Sequence, residues 1–178
     1  MALILNGSAN TITGLAKGGI PNSALATGTV VQVQSFSYTS LDDITSKTWG
    51  DTSLTKAITT TIADSSILAM VTMSFAFNRS SASGGFGLRL VRDSTTIYQG
   101  EDDGTNGPEG FYIGPFNGNA VWRSFWNPSF LDIIGSHSNT TYTYKVQAAV
   151  TDQSSSDRIR INKASSAKST ITLMEVVA

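Results

Sequence analysis

Residues 66–77 constrain the fold of this chain more than any other segment. Apolar side chains occupy every second position there: Ile67, Ala69, Val71, Met73, Phe75 and Phe77. Strict alternation of this kind predicts a β-strand with one face toward a core. The intervening positions are mixed rather than charged, which is typical of a central strand that is covered on both faces for part of its length.

Other segments repeat the β pattern. Alternation is clean over residues 141–150 and 169–177, and shorter strands are predicted at 30–38, 56–62, 86–92, 95–99, 120–126 and 158–162. Polar turn clusters separate them, and the run Gly84-Gly85-Phe86-Gly87 is interpreted as a hairpin turn because it lacks the third glycine of a dinucleotide fingerprint. No window of ten residues has the period of an amphipathic helix. About eight or nine short strands therefore predict an all-β fold, an antiparallel β-sandwich of jelly-roll type.

The composition changes near residue 30. Residues 1–29 carry a single charge, Lys17, and their apolar side chains follow neither strand nor helix spacing. Such a segment cannot build its own core, so we expect an extended arm at 1–29 and one sandwich domain at 30–178. A disordered tail is the alternative. If the arm docks on a partner or a sister subunit, its anchoring side chains are Leu3, Ile4, Leu5, Ile12, Leu15, Ile20 and Leu25.

Composition narrows the function classes. The chain has no cysteine, one histidine and a formal net charge of −1. Disulfides, thiolate catalysis and cysteine-ligated zinc are excluded, and no metal or cofactor is expected. A charge near zero argues against a nucleic-acid partner. No apolar run approaches the roughly 18–20 residues of a membrane span, so no membrane insertion is expected, and the apolar start at residues 2–5 is too short for a signal peptide.

Candidates for chemistry are few. His137 could act as a general base with Asp132, but one unsupported histidine in a turn is better interpreted as a surface loop residue. The acidic segment 101–107 offers oxygen donors to Ca²⁺, although its spacing misses the EF-hand pattern and a glycine-rich hairpin loop explains it more simply. Neither provides a catalytic set, so the sequence predicts that the protein is not an enzyme.

The aromatic residues between 111 and 130 are denser than elsewhere. Aromatic rings next to amides and arginine often bind carbohydrate and protein surfaces, since they combine a large contact area with directional hydrogen-bond donors. A place in the core and at a subunit interface is the favoured interpretation. The candidates for glycan or partner contact are Tyr112, Trp122, Arg123, Trp126 and Asn127.

Several blocks in order resemble a known family. They lie at residues 26–33 (ATGTVVQV), 88–100 (LRLVRDSTTIYQG), 130–132 (FLD), 143–147 (TYKVQ) and 169–176 (STITLMEV). Together they are similar to the small β-sandwich proteins of tailed bacteriophages that serve as tail-fibre or virion structural proteins. The resemblance implies a jelly roll like that of tumour-necrosis-factor trimers, assembled on a threefold axis and mounted on the virion by its N-terminal arm. Because the arm is short and lacks a fibre shaft, a compact knob is favoured.

Two functional expectations follow. The first is a bacteriophage virion surface protein, a homotrimer that decorates the capsid or forms a short fibre and binds capsid or tail proteins through its arm. It would be located in the virion after assembly in the host cytoplasm. The second is a tail-fibre head that binds a host surface polysaccharide. A glycan-degrading enzyme is disfavoured because no credible catalytic set exists.

Overall fold

The computed structural model describes residues 4–6, 11–13, 25–79, 84–99, 111–113, 120–135, 137, 139–150, 157–163 and 167–178. Within these ranges the regular structure is entirely β, without a helix. The strands are β1 (Ile4–Asn6), β2 (Thr11–Thr13), β3 (Val30–Tyr38), β4 (Asp42–Ile44), β5 (Gly50–Thr59), β6 (Ser66–Arg79), β7 (Gly84–Arg92), β8 (Thr95–Gln99), β9 (Phe111–Ile113), β10 (Ala120–Trp126), β11 (Ser129–Asp132), β12 (Thr141–Val150), β13 (Arg158–Ile161) and β14 (Ser169–Val176).

The long strand β6 organises one sheet of the sandwich, here called the first sheet. On one side β6 pairs with β14 and β13, which are bordered by β3 and β4. On its other side β6 pairs with β10 and then β11. All these pairings are antiparallel. Two residues, Asn127 and Pro128, separate β10 from β11. There the Val71 amide of β6 donates a 3.0 Å hydrogen bond to the Pro128 carbonyl.

The second sheet faces the first and is also antiparallel. Its strands follow the order β5-β12-β7-β8, and β9 adds to β7. The register shifts twice: between Lys145 and Gln147 where β12 pairs with β5, and between Leu90 and Val91 where β7 pairs with β8. The two sheets confirm the predicted all-β antiparallel sandwich. The jelly-roll connectivity and the division at residue 30 stay predictions.

The core lies between the two sheets, where their inward-facing side chains pack together. The six alternating residues of β6 are all at most 4% exposed, as the sequence pattern predicts. They pack against apolar side chains of the second sheet, among which the Phe86 ring lies 5.1 Å from that of Phe75 and 5.0 Å from that of Phe77. Strict alternation on one long strand therefore sets one wall of the core.

Strand boundaries differ from the sequence predictions in several places. Strand β5 begins at Gly50, six residues before the predicted start at residue 56, and β4, β9 and β11 were not predicted. The predicted hairpin turn at Gly84–Gly87 is wrong, because these residues belong to β7. Glycine has low strand propensity, but here β7 pairs with β12 on one side and with β9 on the other. Each of the three glycines has a pairing partner, Gly84 and Gly85 in β9 and Gly87 in β12, and this pairing outweighs the intrinsic preference.

A buried carboxylate bridges the two sheets. Asp132, at the end of β11, is 5% exposed and faces the second sheet. It forms a salt bridge of 2.6 Å with Arg92 and accepts a 2.8 Å hydrogen bond from the Tyr144 hydroxyl. Burial raises the pKa of Tyr144 above its ordinary range, and the neighbouring Asp132 raises it further, so the phenol stays a neutral donor. The bridge joins β11 to β7 and β12.

The Asp132 bridge can be tested with Tyr144→Phe. The substitution removes one hydrogen bond to a buried charge, which is worth about 1.5–3 kcal/mol, so the free energy of unfolding measured in urea should fall by that amount. Tyr142→Phe is the matched control. The Tyr142 ring lies under the Arg92 guanidinium at 5.6 Å, and this contact does not need its hydroxyl. We expect the control to change stability by less than about 0.5 kcal/mol, and equal losses in both variants would contradict the bridge.

Candidate functional site

The predicted contact residues fall on the β10 edge of the first sheet. Trp122 is 46% exposed, and Arg123 and Asn127 are exposed. Phe125, between them, is 64% exposed. Among the described strands β10 pairs only with β6, so its second edge has no described strand beside it.

Two of the predicted contact residues are placed differently. Trp126 is only 7% exposed and belongs to the core, where its ring lies 6.1 Å from that of Tyr98. A ligand at the surface cannot use this ring, because the sandwich covers it. Tyr112 lies in β9 opposite Gly85, and its side chain is outside the described residues. The shared parity of Trp122 and Trp126 is confirmed by their pairing with Phe77 and Met73, two inward residues of β6.

The predicted arm contains a short hairpin. Strands β1 and β2 pair antiparallel with each other, with Ile4 opposite Thr13 and Leu5 opposite Ile12, and they form a sheet of their own. Leu25 is half-buried. The three remaining anchoring candidates are outside the described residues: Leu3, Leu15 and Ile20.

The end of the arm joins the body through backbone hydrogen bonds. The Gly28 amide donates to the Val177 carbonyl at 2.8 Å, and the Val177 amide donates to the Thr29 carbonyl at 3.0 Å. Gly28 has a φ of 86°, a left-handed conformation that glycine adopts without a steric penalty. A deletion that tests the arm should therefore leave these residues in place.

His137 does not pair with Asp132. Its Nε2 atom lies 3.2 Å from the Ser65 Oγ atom, and its Nδ1 atom lies 2.7 Å from the Gly135 carbonyl. The Ser65 hydroxyl in turn lies 2.8 Å from Oε1 of Glu175. In a catalytic triad the carboxylate orients the imidazole and the serine is open to substrate. Here the carboxylate contacts the serine, and Ser65 is 1% exposed, so this cluster does not have the geometry of a nucleophile.

Glu175 is the centre of a buried hydrogen-bond network. Its side chain is fully buried, and it lies at an inward position of β14. Oε1 accepts from the Thr61 amide at 2.8 Å and the Ile62 amide at 2.9 Å, while Oε2 accepts from the Gln32 amide nitrogen at 2.7 Å and the Thr61 hydroxyl at 2.8 Å. Burial raises the pKa of Glu175, but the hydrogen bonds outweigh that effect and hold it below 4.5. The network ties the β5–β6 turn to β14 and β3.

A polar row crosses the outer face of the second sheet. Asp51, Gln147 and Arg89 are register neighbours on β5, β12 and β7. Gln147 donates to Asp51 and accepts from the Arg89 Nε atom at 2.7 Å, and Lys145 reaches Asp51 at 2.8 Å. Hydrogen bonds from Lys145 and Gln147 lower the pKa of Asp51. The Arg89 guanidinium lies 4.4 Å above the Trp49 ring. This face is polar and internally paired.

The described ranges contain neither a cluster of metal-binding side chains nor a membrane-spanning helix. No group of three or more histidine, aspartate or glutamate side chains there is arranged to hold a metal ion. The acidic segment 101–107 that suggested calcium is outside the described residues. The described part of the chain also contains no helix that is long and apolar enough to span a membrane.

The Glu175 network makes a pH-dependent prediction. In Glu175→Gln, one acceptor oxygen is replaced by an amide NH₂ that faces other donors, so we expect a loss of roughly 2–4 kcal/mol in the free energy of unfolding at pH 7. A depressed pKa means that the carboxylate stabilises the fold fully above pH 4.5, its ordinary value, and that this contribution is lost as the pH falls through the lower folded value.

Urea unfolding of both proteins at several pH values tests this. The stability difference between the wild type and Glu175→Gln should be largest above about pH 5.5 and should shrink toward pH 3. Asp64→Asn, an exposed carboxyl in the same turn at a φ of 60° that asparagine tolerates, is the control and should stay within about 0.5 kcal/mol. A difference for Glu175→Gln that does not vary with pH would contradict a buried carboxylate.

Comparisons with known proteins give limited similarity. No family model matches the chain, and no curated protein matches it significantly. Among solved structures, dimeric latent PorU from Porphyromonas gingivalis is similar with a TM-score of 0.33 and 9% identity, over 85% of this chain and 14% of that one. The structure of infectious bursal disease virus Gx strain is similar with a TM-score of 0.33 and 11% identity, over 94% of this chain and 43% of that one. The chain thus spans less than half the length of either, and its function is argued from its own residues.

Proposed function

We propose that this chain is a bacteriophage virion surface structural protein, a non-enzymatic homotrimer that is attached to capsid or tail proteins by its N-terminal arm. It would decorate the capsid or form a short fibre, and it would act by binding other virion proteins rather than by catalysis. The ordered blocks that resemble tailed-phage proteins suggest the setting, and the all-β sandwich agrees with the architecture that they imply.

One observation carries the proposal, the uneven distribution of exposed apolar side chains. Of the eleven large exposed hydrophobic residues in the described ranges, all but Tyr98 lie on or next to the first sheet: Val30, Val33, Phe36, Leu41, Met70, Val121, Trp122, Phe125, Leu131 and Ile133. Five of them share the outer face of that sheet: Val33, Met70, Val121, Phe125 and Leu131. Exposed apolar surface gathered on one face marks an interaction surface. The whole chain is 14% charged, below the roughly 25% of an average domain, which favours burial of part of its surface in an assembly.

The arm supplies the attachment. A two-stranded hairpin is marginally stable on its own in water, so the β1–β2 pair favours a segment that packs on another surface. Each apolar side chain that a partner buries fully contributes roughly 1.5–3 kcal/mol. Three arms in one trimer bind together, and multivalency then raises the overall affinity without new contacts.

The arm proposal is tested by deleting residues 2–24, which leaves the hydrogen bonds of Gly28 and Thr29 to Val177 intact. We expect the truncated protein to fold and keep the oligomeric mass of the full chain, and to be lost from purified particles because its anchor is missing. The measurements are circular dichroism, light scattering and the copy number per particle. Incorporation at the wild-type level would overturn the role of the arm.

A second candidate, a head that binds a host surface polysaccharide, is favoured by the half-exposed ring of Trp122, an aromatic surface of the kind on which sugar rings stack. Trp122→Ala should then abolish binding of the full-length protein on a glycan array, because a sugar ring stacks on the indole. Phe36→Ala, a 37% exposed aromatic at the opposite edge of the sheet, is the matched control and should bind normally. If the folded wild-type protein binds no glycan, this candidate fails and the structural role stands alone.

A further inference from the structure

We propose that the outer face of the first sheet binds an acidic saccharide, a sugar chain that carries carboxylate or sulfate groups, at three arginines of β10 and β13. These residues, Arg123, Arg158 and Arg160, are here called the arginine site. It lies on the opposite face of β10 from Trp122, which pairs with the inward residue Phe77. The inference rests on the second candidate function, because both need a saccharide ligand, and it adds the charge of that ligand.

Two of the arginines flank one small residue of β6. Arg160 of β13 and Arg123 of β10 are both register partners of Ala76, one on each side of it. Ala76 lies on the outer face, because Phe75 and Phe77 on either side of it along the strand belong to the core. Register partners in antiparallel strands share a face, so both arginines are on the outer face as well. Their Cα atoms are two strand spacings apart, roughly 10 Å, with only a methyl group between them.

The positive charge of the arginine site is only partly neutralised. Oδ2 of Asp43 lies 3.2 Å from Nε of Arg160 and 3.4 Å from Nη1 of Arg158, so one carboxylate serves two guanidinium groups. Arg123 is exposed, and no carboxylate in the described part of the chain forms an ion pair with it. Asp157 precedes Arg158 but is 1% exposed, so its carboxylate is not open to a ligand. Positive charge is therefore in excess on this part of the face.

The groups around the arginines suit a sugar. Phe125, two residues after Arg123 on the same face, is 64% exposed and is the register partner of the half-buried Ser74. Asn78 is the register partner of Arg158, and its Oδ1 atom is buried without a hydrogen-bond donor in the described ranges. A sugar ring offers an apolar face to an aromatic ring and hydroxyl donors to an amide oxygen. The acidic group of the same sugar then binds the guanidinium groups.

An acidic saccharide fits the site better than other anionic polymers. Guanidinium groups bind oxyanions such as carboxylates through paired hydrogen bonds, and these charge-assisted bonds are among the stronger ones in proteins. The whole chain has a formal net charge of −1, which gives no extended field to attract a nucleic acid. An acidic peptide supplies carboxylates but no sugar ring for Phe125. The combination of arginines with an exposed aromatic ring therefore favours a sugar that is itself charged.

Titration calorimetry of the full chain with defined polymers tests the site. Heparin supplies sulfate groups, polygalacturonate supplies carboxylates, and dextran is the neutral counterpart. We expect binding to at least one acidic polymer, weaker as salt is added, and none to dextran. Arg123→Gln should raise the Kd about tenfold or more, because it removes hydrogen bonds to a charged group. Asp43→Asn should lower the Kd, because it removes a carboxylate that competes for two of the arginines. Arg89→Gln, on the outer face of the second sheet, is the matched control and should leave the Kd unchanged.

The remaining outcomes separate this inference from its alternatives, with circular dichroism confirming that each variant is folded. Phe125→Ala should weaken binding of the acidic polysaccharide. Polyglutamate or double-stranded DNA bound as tightly as the polysaccharide would show a general anion surface and overturn the saccharide assignment, and so would equal losses in Arg123→Gln and Arg89→Gln. Binding that Trp122→Ala abolishes and Arg123→Gln does not would place the sugar at Trp122, which overturns this inference and leaves the second candidate function. A folded wild-type protein that binds no saccharide overturns both.

Discussion

Strand β6 is hydrogen-bonded along both of its edges, and the rest of the sandwich depends on that double pairing. Four strands from distant parts of the sequence share its fourteen residues: β14 and β13 on one side, β11 and β10 on the other. Its inward side chains form a wall of the core, and on the outer face its Leu68 lies between Met174 of β14 and Leu131 of β11. A break in β6 would thus disconnect both edges of the first sheet at once.

Buried carboxylates fix how the sheets sit on each other. Glu175 joins the β5–β6 turn to β14 and β3, while Asp132 joins β11 to β7 and β12. A buried charge is costly to desolvate and is tolerated only when hydrogen bonds satisfy it, so each site accepts one arrangement of its donors. The chain has no cysteine, and these two networks make the side-chain connections between distant strands that disulfides make in other sandwiches.

Alternation along the sequence predicted much of the fold, because a strand with one buried face has apolar side chains at every second position. The bounds of β3, β8, β10 and β12 agree with those predictions. Strands β4 and β11, of three and four residues, are too short to show a period, and they form only because β13 and β6 supply their pairing partners. Pairing between strands far apart in sequence leaves no local signal.

Prediction of the site residues from the sequence is limited in the same way, because their partners lie far away along the chain. Glu175 has the parity of Ile171 and Leu173, so a charged residue at an apolar position was a visible sign of a buried network. Its donors, 110 or more residues away, were not visible. The aromatic density of residues 111–130 indicated a mixture of core and surface, but the sequence does not show that Trp126 joins the core while Trp122, at the same parity, is half-exposed. The alternation along a strand predicts which face of the sheet a side chain lies on. Packing against the opposing sheet determines how much of that side chain is exposed.

The outer faces of the two sheets differ in polarity. The second sheet presents the row Asp51, Gln147 and Arg89, whose groups already bind one another and keep that face hydrated. The first sheet presents a row of apolar register neighbours on its outer face, and the two at its ends are exposed: Val33, Met174, Leu68 and Leu131. Polar and apolar exposed side chains are thus separated in space, and apolar surface gathered on one face marks an interaction surface. The strand order achieves this separation, because each sheet turns one face to the common core and leaves the other free for a distinct role.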